Sequence, residues 1–200
     1  MNVQPDYFDS LYRSSDDPYS VRTRWYERRK RAILMAALPQ ARYRRAYEPA
    51  CGIGELTIDL ARRCDQVLAS DANDRAVDLA RVRLLSFGNV QIEVQRLPGD
   101  WPPRSEQFDL IVLSEVGYFL SPTAWRDVVD RCATSLAPTG TLVACDWLPD
   151  FAERTMPTSA LHEVVSSLGM ESLLRHVEAD FALEVWSGDR RSVAEHESVR

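Results

Sequence analysis

The chain has 200 residues, of which 45% are hydrophobic and 27% are charged. A chain of this length forms one domain with a sizeable core, and its composition excludes a collagen, a long disordered chain and a disulfide-stapled miniprotein. The formal net charge of −6 argues against a general nucleic-acid binder, which needs a basic face to displace counterions. We therefore expect one globular domain without a nucleic-acid partner.

The apolar runs and the cysteines indicate the compartment. The longest strongly apolar runs, such as Leu110 to Leu113, are far shorter than the roughly 20 residues of a membrane span. Met1 is followed by polar and acidic residues rather than by an apolar signal region. The four cysteines match no zinc-ligand spacing; they are Cys51, Cys64, Cys132 and Cys145. These features predict a cytoplasmic protein with no membrane contact, no metal site and reduced, mostly buried thiols.

Basic residues are concentrated early in the chain. Nine of them and a single acid, Glu27, lie between Arg22 and Arg45, and Lys30 is the one lysine of the sequence. The segment is either a solvated, arginine-rich helix face or a local anion site. Apolar residues at helical spacing predict a helix from about Val21 to Leu38, which the following proline stops. We expect residues 1–40 to form a helical lid.

Strand and helix patterns then alternate up to residue 113. Apolar runs bounded by turn residues predict four strands: Arg45–Ala50, Val67–Ser70, Val90–Val94 and Phe108–Leu113. Amphipathic segments with capping residues predict two helices: Glu55–Arg63, and a helix capped by Asn73 or Asp74 that runs to about Ser86. The segment Leu97–Arg104, with three prolines and a glycine, is predicted to be a loop.

The same alternation continues to the end of the chain. Two more helices are predicted: Ser121–Leu136, and a helix from Pro157 or Thr158 to Leu168 with Gly169 as its C-cap. Three more strands are predicted: Thr141–Cys145, Met170–Val177 and Asp180–Trp186. We expect residues 188–200 to form a flexible tail.

Helices that alternate with strands cover the faces of a parallel sheet. The seven predicted strands therefore form a Rossmann-like α/β fold, a doubly wound and mostly parallel sheet whose last strand is antiparallel. Ligands in such sheets bind at the carboxyl ends of the central strands. The residues that directly follow each strand are therefore the candidate site.

The first two strand ends carry a small-residue turn and an acid. Ala50, Gly52 and Gly54 let the backbone turn sharply and approach a ligand, with free N–H groups at the start of the next helix as donors. Asp71 ends the second strand nineteen residues after Gly52, where a carboxylate can accept both hydroxyls of a ribose. Each feature alone also fits an ordinary turn or a helix cap.

The third and fourth strand ends carry polar and aromatic groups. Asp100 and Trp101 offer a carboxylate and an aromatic plane to an adenine, although Trp101 also suits a place over the core. Ser114 and Glu115 end the fourth strand, so Glu115 either points to the centre of the cleft or forms a buried salt bridge. Suitable groups at all four strand ends indicate a binding site rather than four unrelated turns.

Five segments resemble the class I S-adenosylmethionine-dependent methyltransferases; they are residues 47–55, 67–72, 97–101, 108–120 and 136–142. More closely, the chain is similar to the nodulation protein S type N-methyltransferases. The residues that carry this likeness are Tyr7-Phe8-Asp9, Asp16-Asp17-Pro18, Tyr26 to Lys30, and Phe108 to Val116 with Tyr118. The resemblance extends from about Tyr7 to Trp186 and implies S-adenosylmethionine as the cofactor.

The resemblance also implies roles for individual residues. The turn after the first strand would cradle the cofactor's methionine moiety, with Glu48 bracing the turn or the amino group, and Arg29 or Lys30 would meet the carboxylate. The implied cofactor-binding residues are Tyr26, Arg29, Glu48, Ala50, Cys51, Gly52, Gly54, Asp71, Ala72, Asp100, Trp101 and Ser114. Glu115 would orient an amine acceptor or take its proton, and Tyr118 would contact the methylated nitrogen.

Two positions depart from the family pattern. Ala50 stands where the family's turn usually has glycine, a change that is tolerable if the residue needs no positive φ. Asp146 stands after the fifth strand, where relatives often carry a histidine. A proton-transfer role for that histidine is therefore not transferred to this chain.

The acceptor class remains open at this stage. The family precedent, N-methylation of a glucosamine terminus on a chitooligosaccharide, favours an amine or an amino sugar, with an O-methyltransferase of a small metabolite as the alternative. A nicotinamide-dependent oxidoreductase also fits a glycine turn followed by an acid, but Gly52 and Gly54 do not complete the GxGxxG spacing. A cofactor-binding protein without chemistry is the third alternative. We expect a monomer or a weak homodimer.

Overall fold

The computed structural model describes residues 5–199 of the chain. The first four residues of the predicted lid and the last residue of the predicted tail lie outside the described residues. Among residues 5–199, no helix is long and apolar enough to cross a membrane. All four cysteines are free and buried, which confirms the expectation of reduced, mostly buried thiols.

A seven-stranded mixed sheet forms the centre of the molecule. Its strands are β1 (Tyr43–Pro49), β2 (Cys64–Asp71), β3 (Val90–Val94), β4 (Phe108–Ser114), β5 (Leu136–Trp147), β6 (Glu171–Val177) and β7 (Phe181–Ser187). Their order across the sheet is β3-β2-β1-β4-β5-β7-β6. β7 runs antiparallel to both of its neighbours, and the pairs among β1 to β5 are parallel. The predicted doubly wound sheet with an antiparallel last strand is therefore confirmed.

Helices cover the sheet and one end of it. They are α1 (Pro5–Ser14), α2 (Trp25–Ala37), α3 (Glu55–Arg63), α4 (Asp74–Arg83), α5 (Pro122–Ser135), α6 (Thr158–Ser166) and α7 (Val193–His196), and a 3-10 turn spans Gly117–Phe119. The predicted bounds of α3 match the observed ones. The helix α7 lies inside the predicted flexible tail and begins with a capping box at Ser192.

The helix predicted from Val21 begins four residues later, at Trp25, for a local reason. Ser20 has a φ of 56°, and the Asp17 carboxylate accepts the backbone N–H groups of Val21 and Arg22 at 2.8 and 3.1 Å. A side chain that satisfies backbone donors in this way holds a turn in place of a helical start. The residues between α1 and α2 therefore form a turn that lies over the sheet edge.

The packing of strand β4 explains why its residues 110–113 form an unbroken apolar run. Ile111 and Leu113 belong to one hydrophobic cluster, which includes Trp125 of α5. Leu110 and Val112 belong to a second cluster on the opposite face, which includes Leu34 of α2. A strand buried on both faces has no solvent-facing positions, so its sequence does not alternate.

Gly54 joins the turn after β1 to the packing of α3 against α4. It has a φ of 83°, and a Cβ built on it would lie 2.8 Å from Leu84 Cδ1 and 3.3 Å from Ala80 Cβ. Both the left-handed backbone and the close approach therefore require glycine.

The substitution Gly54→Ala is expected to lower the free energy of unfolding by about 2 to 4 kcal/mol, since strain at positive φ adds to overpacking. Urea denaturation measures the loss. Gly88→Ala is the matched control, because a Cβ at Gly88 meets nothing within 4 Å. A Gly54→Ala protein as stable as the control would contradict this account of the turn.

Candidate functional site

A cavity of about 820 Å³ lies at the carboxyl ends of β1, β2 and β4. Its other side is formed by α1, by the turn between α1 and α2, and by α2. This is the edge at which doubly wound sheets bind ligands. The strand-end residues of the cavity are Glu48, Ala50, Cys51, Gly52, Asp71, Ala72, Ser114 and Glu115.

The turn after β1 is built from left-handed residues. Ala50, Gly52 and Gly54 have φ values of 59°, 54° and 83°. The Gly52 N–H donates to Asp71 Oδ2 at 2.9 Å, and the Cys51 N–H donates to the Ser70 carbonyl at 2.8 Å. The condition under which alanine was expected to be tolerated, the absence of a positive φ, is therefore not met at Ala50. A left-handed backbone at a residue with a Cβ costs about 1 to 2 kcal/mol.

Gly54 does not line the cavity, unlike the other small residues of this turn. Its predicted contact with a ligand is replaced by the packing of α3 against α4. The shape of the turn still depends on it, because it precedes the first residue of α3 with left-handed geometry. The predicted cradle thus consists of Ala50, Cys51 and Gly52.

Glu48 is a buried carboxyl group at the floor of the cavity. Its side chain accepts a hydrogen bond from the Thr57 hydroxyl at 2.6 Å, and the residue is 3% exposed. Burial raises the pKa of Glu48 to about 8, and the hydrogen bond from Thr57 opposes only part of that rise. A cation that binds beside Glu48 near neutral pH would therefore favour loss of the proton from its carboxyl group.

Asp71 ends β2 beside the turn, as the sequence pattern predicts. Its two oxygens accept the backbone N–H groups of Gly52 and Asn73, each at 2.9 Å. Burial raises the pKa of Asp71, while these backbone hydrogen bonds oppose the rise. Ala72 follows it in the cavity wall. A carboxylate has about four acceptor positions, so these backbone hydrogen bonds leave acceptor capacity for a ligand.

Asp100 and Trp101 do not line the cavity, in contrast to the prediction. Trp101 is 8% exposed and packs in the core edge-on to Tyr47, and its Nε1–H donates to the Ser135 hydroxyl at 2.9 Å. The Asp100 carboxylate accepts the backbone N–H of Arg96 at 2.9 Å and so closes its own loop. The alternative that the sequence left open for Trp101, a place in the core, describes its position.

Three residues that the sequence reasoning missed stand at the cavity after β3: Gln95, Arg96 and Leu97. Gln95 is buried, and its amide oxygen accepts the Tyr47 hydroxyl at 2.9 Å. The position directly after a strand was the available signal, since Gln95 follows β3 immediately.

Arg29 and Tyr26 also lie away from the cavity. Arg29 forms two hydrogen bonds of 2.7 Å with Glu178, in the turn between β6 and β7, and its side chain is 42% exposed. Tyr26 packs edge-on against Trp147 and Phe181. Arg29 therefore anchors α2 to the sheet in place of the predicted contact with a ligand carboxylate.

Lys30 and Arg31 are the cations that α2 presents to the cavity. With Glu27 and Leu34 they occupy the spacing i, i+3, i+4 and i+7 of one helix face. The sequence analysis did not name Arg31 as a site residue. The helical spacing was the available signal, because it places Arg31, and not Arg29, on the same helix face as Lys30. The buried Arg31 Nε makes no hydrogen bond within residues 5–199, and an Asp59 oxygen lies 3.7 Å from it.

Glu115 lies at the centre of a polar cluster after β4. Its Oε1 binds Lys30 Nζ at 2.5 Å, and its Oε2 accepts the Tyr118 hydroxyl and the backbone N–H of Trp147. Glu27 Oε2 lies 3.1 Å from the same Lys30 nitrogen. Burial alone lowers the pKa of Lys30, but the two carboxylates raise it more, so its pKa lies above the ordinary value. Both sequence-level readings of Glu115 therefore apply, since it faces the cavity and forms a salt bridge.

Tyr118 is buried behind Glu115 and does not line the cavity. Burial raises the pKa of Tyr118, and the neighbouring Glu115 and Asp146 raise it further. The hydroxyl therefore stays protonated and donates a hydrogen bond to Glu115. The Arg154 guanidinium lies 4.9 Å from the centre of its ring. Tyr118 therefore holds the Glu115 side chain instead of contacting a ligand.

Aromatic side chains form the outer wall of the cavity. Phe8 of α1 packs edge-on against Phe119, with ring centres 5.0 Å apart, and both line the cavity. Tyr12 and Tyr19 line it from the N-terminal side. Phe151 packs behind Phe119 and is not part of the wall.

Asp146, the departure from the family pattern, is buried behind the cavity with a histidine from another element. The His162 ring on α6 places Nε2 3.1 Å from Asp146 Oδ2 and Nδ1 3.5 Å from Glu184 Oε2. Burial raises the pKa of Asp146, and His162 opposes the rise. Across the described range, no group of three or more such side chains is arranged to hold a metal ion, this trio included.

Comparison with known proteins connects this site to a family. A family model described as a methyltransferase domain matches residues 46–140. The chain is 43% identical to a Pseudomonas syringae protein whose crystal structure carries a provisional methyltransferase assignment. That match covers 82% of this chain and 99% of the other, with a TM-score of 0.73.

Nodulation proteins are more distant relatives. Nodulation protein S of Rhizobium tropici is 32% identical over 135 residues, which are 65% of this chain and 55% of that protein. Across three such curated relatives, the match spans 55% to 61% of their length. The N-methyltransferase NodS of Bradyrhizobium japonicum WM9, solved with S-adenosyl-L-homocysteine, is 23% identical. Its match covers 90% of this chain and 97% of that one, with a TM-score of 0.80, and shows a shared fold.

The substitution Trp101→Phe is expected to lower the free energy of unfolding by about 1 to 3 kcal/mol, because it shrinks a core side chain and leaves the buried Ser135 hydroxyl unpaired. Chemical denaturation measures the loss. Ser135→Ala removes the same hydrogen bond from the other side, so the double variant should lose less than the two single losses combined. Strictly additive losses would show that the bond contributes nothing.

Proposed function

Because this chain belongs to the class I S-adenosylmethionine-dependent methyltransferases, we propose that it transfers a methyl group from that cofactor to the nitrogen of a small amine. The observation that carries the choice of an amine is Glu115, whose carboxylate in the cavity wall already binds the ammonium group of Lys30. The N-methyltransferase activity named for NodS supports the same choice. By that likeness, the acceptor we propose is an amino sugar with a free amine.

The residues around the turn after β1 fit the methionine end of the cofactor. Gly52 lines the cavity without a side chain, and a Cβ on it would crowd the Tyr12 hydroxyl at 3.3 Å, so the cofactor would lie against bare backbone here. Arg31, which lines the cavity from α2, would bind the cofactor carboxylate. Glu48 would bind the cofactor's ammonium group.

The residues at β2 and β3 fit the nucleoside end. Asp71 would accept the ribose hydroxyls with the acceptor capacity that its backbone hydrogen bonds leave open. Gln95, Arg96 and Leu97, which follow the neighbouring strand β3, would meet the adenine in place of Asp100 and Trp101.

The charge of the cavity wall favours cationic ligands. Eight carboxyl groups line it against three cations, so the wall attracts a sulfonium and an ammonium group. The carboxyl groups are Asp9, Asp17, Glu27, Glu48, Glu55, Asp71, Asp74 and Glu115, and the cations are Lys30, Arg31 and Arg96. An acceptor that arrives as an ammonium ion is drawn to the same edge of the sheet.

The chain's own residues would act by positioning and by proton transfer. When bound, S-adenosylmethionine supplies an activated methyl group. Glu115, held by Tyr118 and Trp147, would orient the acceptor nitrogen and take up the proton that it loses. Phe8 and Phe119 would exclude water at the cavity mouth. Alignment of this kind contributes about 7 to 11 kcal/mol to an in-line displacement.

We also propose that the N-terminal helical segment serves as the lid of this site. Of the residues that the structure describes there, α1 and the turn that follows it provide Phe8, Tyr12 and Tyr19 to the cavity wall. Asp9 accepts a hydrogen bond of 2.6 Å from the Asn73 amide, which ties α1 to the end of β2. Movement of α1 would therefore open the cavity above Asp71.

The affinity for S-adenosylhomocysteine is expected to rise as the pH increases from about 6 to about 8. The pKa of about 8 leaves the free Glu48 carboxyl largely protonated at neutral pH, and only the carboxylate pairs with the ligand's ammonium group. Binding near pH 7 therefore releases close to one proton, and the Kd falls by up to about tenfold per pH unit until the carboxyl is ionised. Calorimetry in buffers of different ionisation enthalpy measures both quantities.

Glu48→Gln is the matched control, since the amide oxygen still accepts the Thr57 hydrogen bond but the group cannot titrate. Its affinity should not change with pH over this range. NADH is expected to give no binding heat. A wild-type affinity that is flat with pH removes Glu48 from the proposed site, and binding of NADH without binding of S-adenosylhomocysteine overturns the proposed function.

Glu115→Gln is expected to lower the single-turnover rate of methyl transfer by at least about 100-fold, because the amide cannot take up the acceptor's proton. The assay follows labelled methyl from S-adenosylmethionine to a glucosamine tetramer, with the fully N-acetylated tetramer as the acceptor that lacks a free amine. Tyr118→Phe, which removes one hydrogen bond to Glu115, should cost about tenfold or less. Unchanged turnover and acceptor affinity in Glu115→Gln would remove Glu115 from the mechanism.

A further inference from the structure

Lys30 is a buried cation inside the proposed acceptor site. It is 6% exposed, and its Nζ lies 2.5 Å from Glu115 Oε1 and 3.1 Å from Glu27 Oε2. The same nitrogen lies 5.1 Å from the ring centre of Tyr26. Because both carboxylates hold it, Lys30 is not available as the partner of a cofactor carboxylate, a task that Arg31 fits better. Its place in the cavity therefore needs another explanation.

The hydrogen bonds of Glu115 show how close a bound acceptor comes to Lys30. Glu115 receives Lys30 on Oε1 and both the Tyr118 hydroxyl and the Trp147 N–H on Oε2. A carboxylate offers about four acceptor positions, so one remains. An acceptor nitrogen that donates to that position shares the carboxylate with Lys30, and at ordinary hydrogen-bond lengths the two nitrogens lie about 4 to 6 Å apart.

We propose that Lys30 is an electrostatic positioning residue that keeps the acceptor amine uncharged while it is bound at Glu115. The inference rests on the proposed function, because it concerns an amine acceptor. Two like charges at this separation disfavour each other, so the charge of Lys30 lowers the pKa of the bound acceptor nitrogen relative to the same carboxylate site without a lysine. Only the neutral amine carries the electron pair that methyl transfer needs.

The groups around Lys30 determine which nitrogen stays protonated. Glu27 and the Tyr26 ring face it from α2, Glu115 from the end of β4, and Cys145 and Asp146 contribute from β5. Lys30 has two carboxylates at short distance, whereas the acceptor shares one of them. The proton therefore stays on Lys30, and the acceptor gives up its own.

The proposed sequence balances in protons and electrons. An acceptor that arrives as an ammonium ion releases one proton through Glu115 to solvent as it binds. Its nitrogen electron pair forms the new bond to the methyl carbon, while the pair of the breaking carbon–sulfur bond remains on sulfur. The alkylated ammonium then loses a proton through Glu115 to solvent. Lys30 keeps its proton throughout and acts by its charge alone.

Two variants that change the local charge in opposite directions test this role. The readout is the single-turnover rate with saturating glucosamine tetramer as a function of pH, whose rising limb reports the amine in the bound complex. Lys30→Met removes a positive charge and should move that limb to higher pH by about 1 to 2 units. Glu27→Gln removes a negative charge and should move it to lower pH. Lys30→Arg keeps the charge and should leave the limb in place.

The single lysine of the sequence gives a second readout that needs no turnover. In protein labelled with 15N-lysine and loaded with S-adenosylhomocysteine, one side-chain signal reports Lys30. That signal should remain that of an ammonium group up to about pH 10, with and without the glucosamine tetramer. Intact mass after incubation with S-adenosylmethionine should show no methyl group on Lys30.

Opposite movements of the rising limb in Lys30→Met and Glu27→Gln support the proposal, because a purely structural defect does not change direction with the sign of the charge. An unmoved limb in both variants, or movement in the same direction, overturns it. A neutral or methylated Lys30 also overturns it. If Lys30→Met does not fold, Glu27→Gln and the lysine signal still decide. If the wild-type protein methylates no amine, the proposed function fails first and the inference falls with it.

Discussion

Strands β1 and β4 lie side by side and parallel at the centre of the sheet, with Ala46 opposite Leu110 and Tyr47 opposite Ile111. Parallel neighbours end at the same edge, so this pairing brings Glu48 and Glu115 to one side of the molecule. β2 pairs with β1 on the other side and adds Asp71 to the same edge. The cavity and every proposed ligand contact in it depend on this alignment, since a slip of one residue would turn those side chains to the opposite face of the sheet.

The two glutamates of this edge have different surroundings and therefore different proposed tasks. Glu48 has a neutral hydroxyl as its partner, and burial holds its pKa near 8, so it exchanges a proton for a cationic ligand. Glu115 is paired with Lys30 and fixed by two further donors. A pair of carboxyl groups set apart by environment in this way can serve binding and proton transfer at the same pH.

The sequence predicts best those features that depend on short-range patterns. Residues 110–113 of β4 are an unbroken apolar run because both faces of the strand are covered, and Asp71 is found from its spacing after the turn. Predictions that required a choice between neighbouring residues were less successful. Trp101 lies in the core because its indole N–H finds Ser135 on α5, a partner that no local pattern reveals. Ala50 has a φ of 59° that its residue type does not announce.

The basic run on α2 shows the same division between pattern and partner. Its helical spacing separates Lys30 and Arg31, which face the cavity, from Arg29, which faces the sheet. The partner of Arg29, Glu178, lies 149 positions along the chain, so only the fold reveals that contact. The anion site stays a prediction for Lys30 and Arg31, whereas Arg29 of the same run is paired with Glu178.

The anchoring of α2 narrows which part of the N-terminal segment can move as a lid. Arg29 ties α2 to the turn between β6 and β7, and Arg63 of α3 donates to the carbonyls of Met35, Leu38 and Gln40 at its C-terminal end. Leu34 is buried in the core beneath it. A helix fixed at these points would hold Lys30 and Arg31 in place beside the sheet, so the ligand contacts that we propose for α2 would be preformed. The proposed opening of the cavity would therefore fall to α1 and the turn after it.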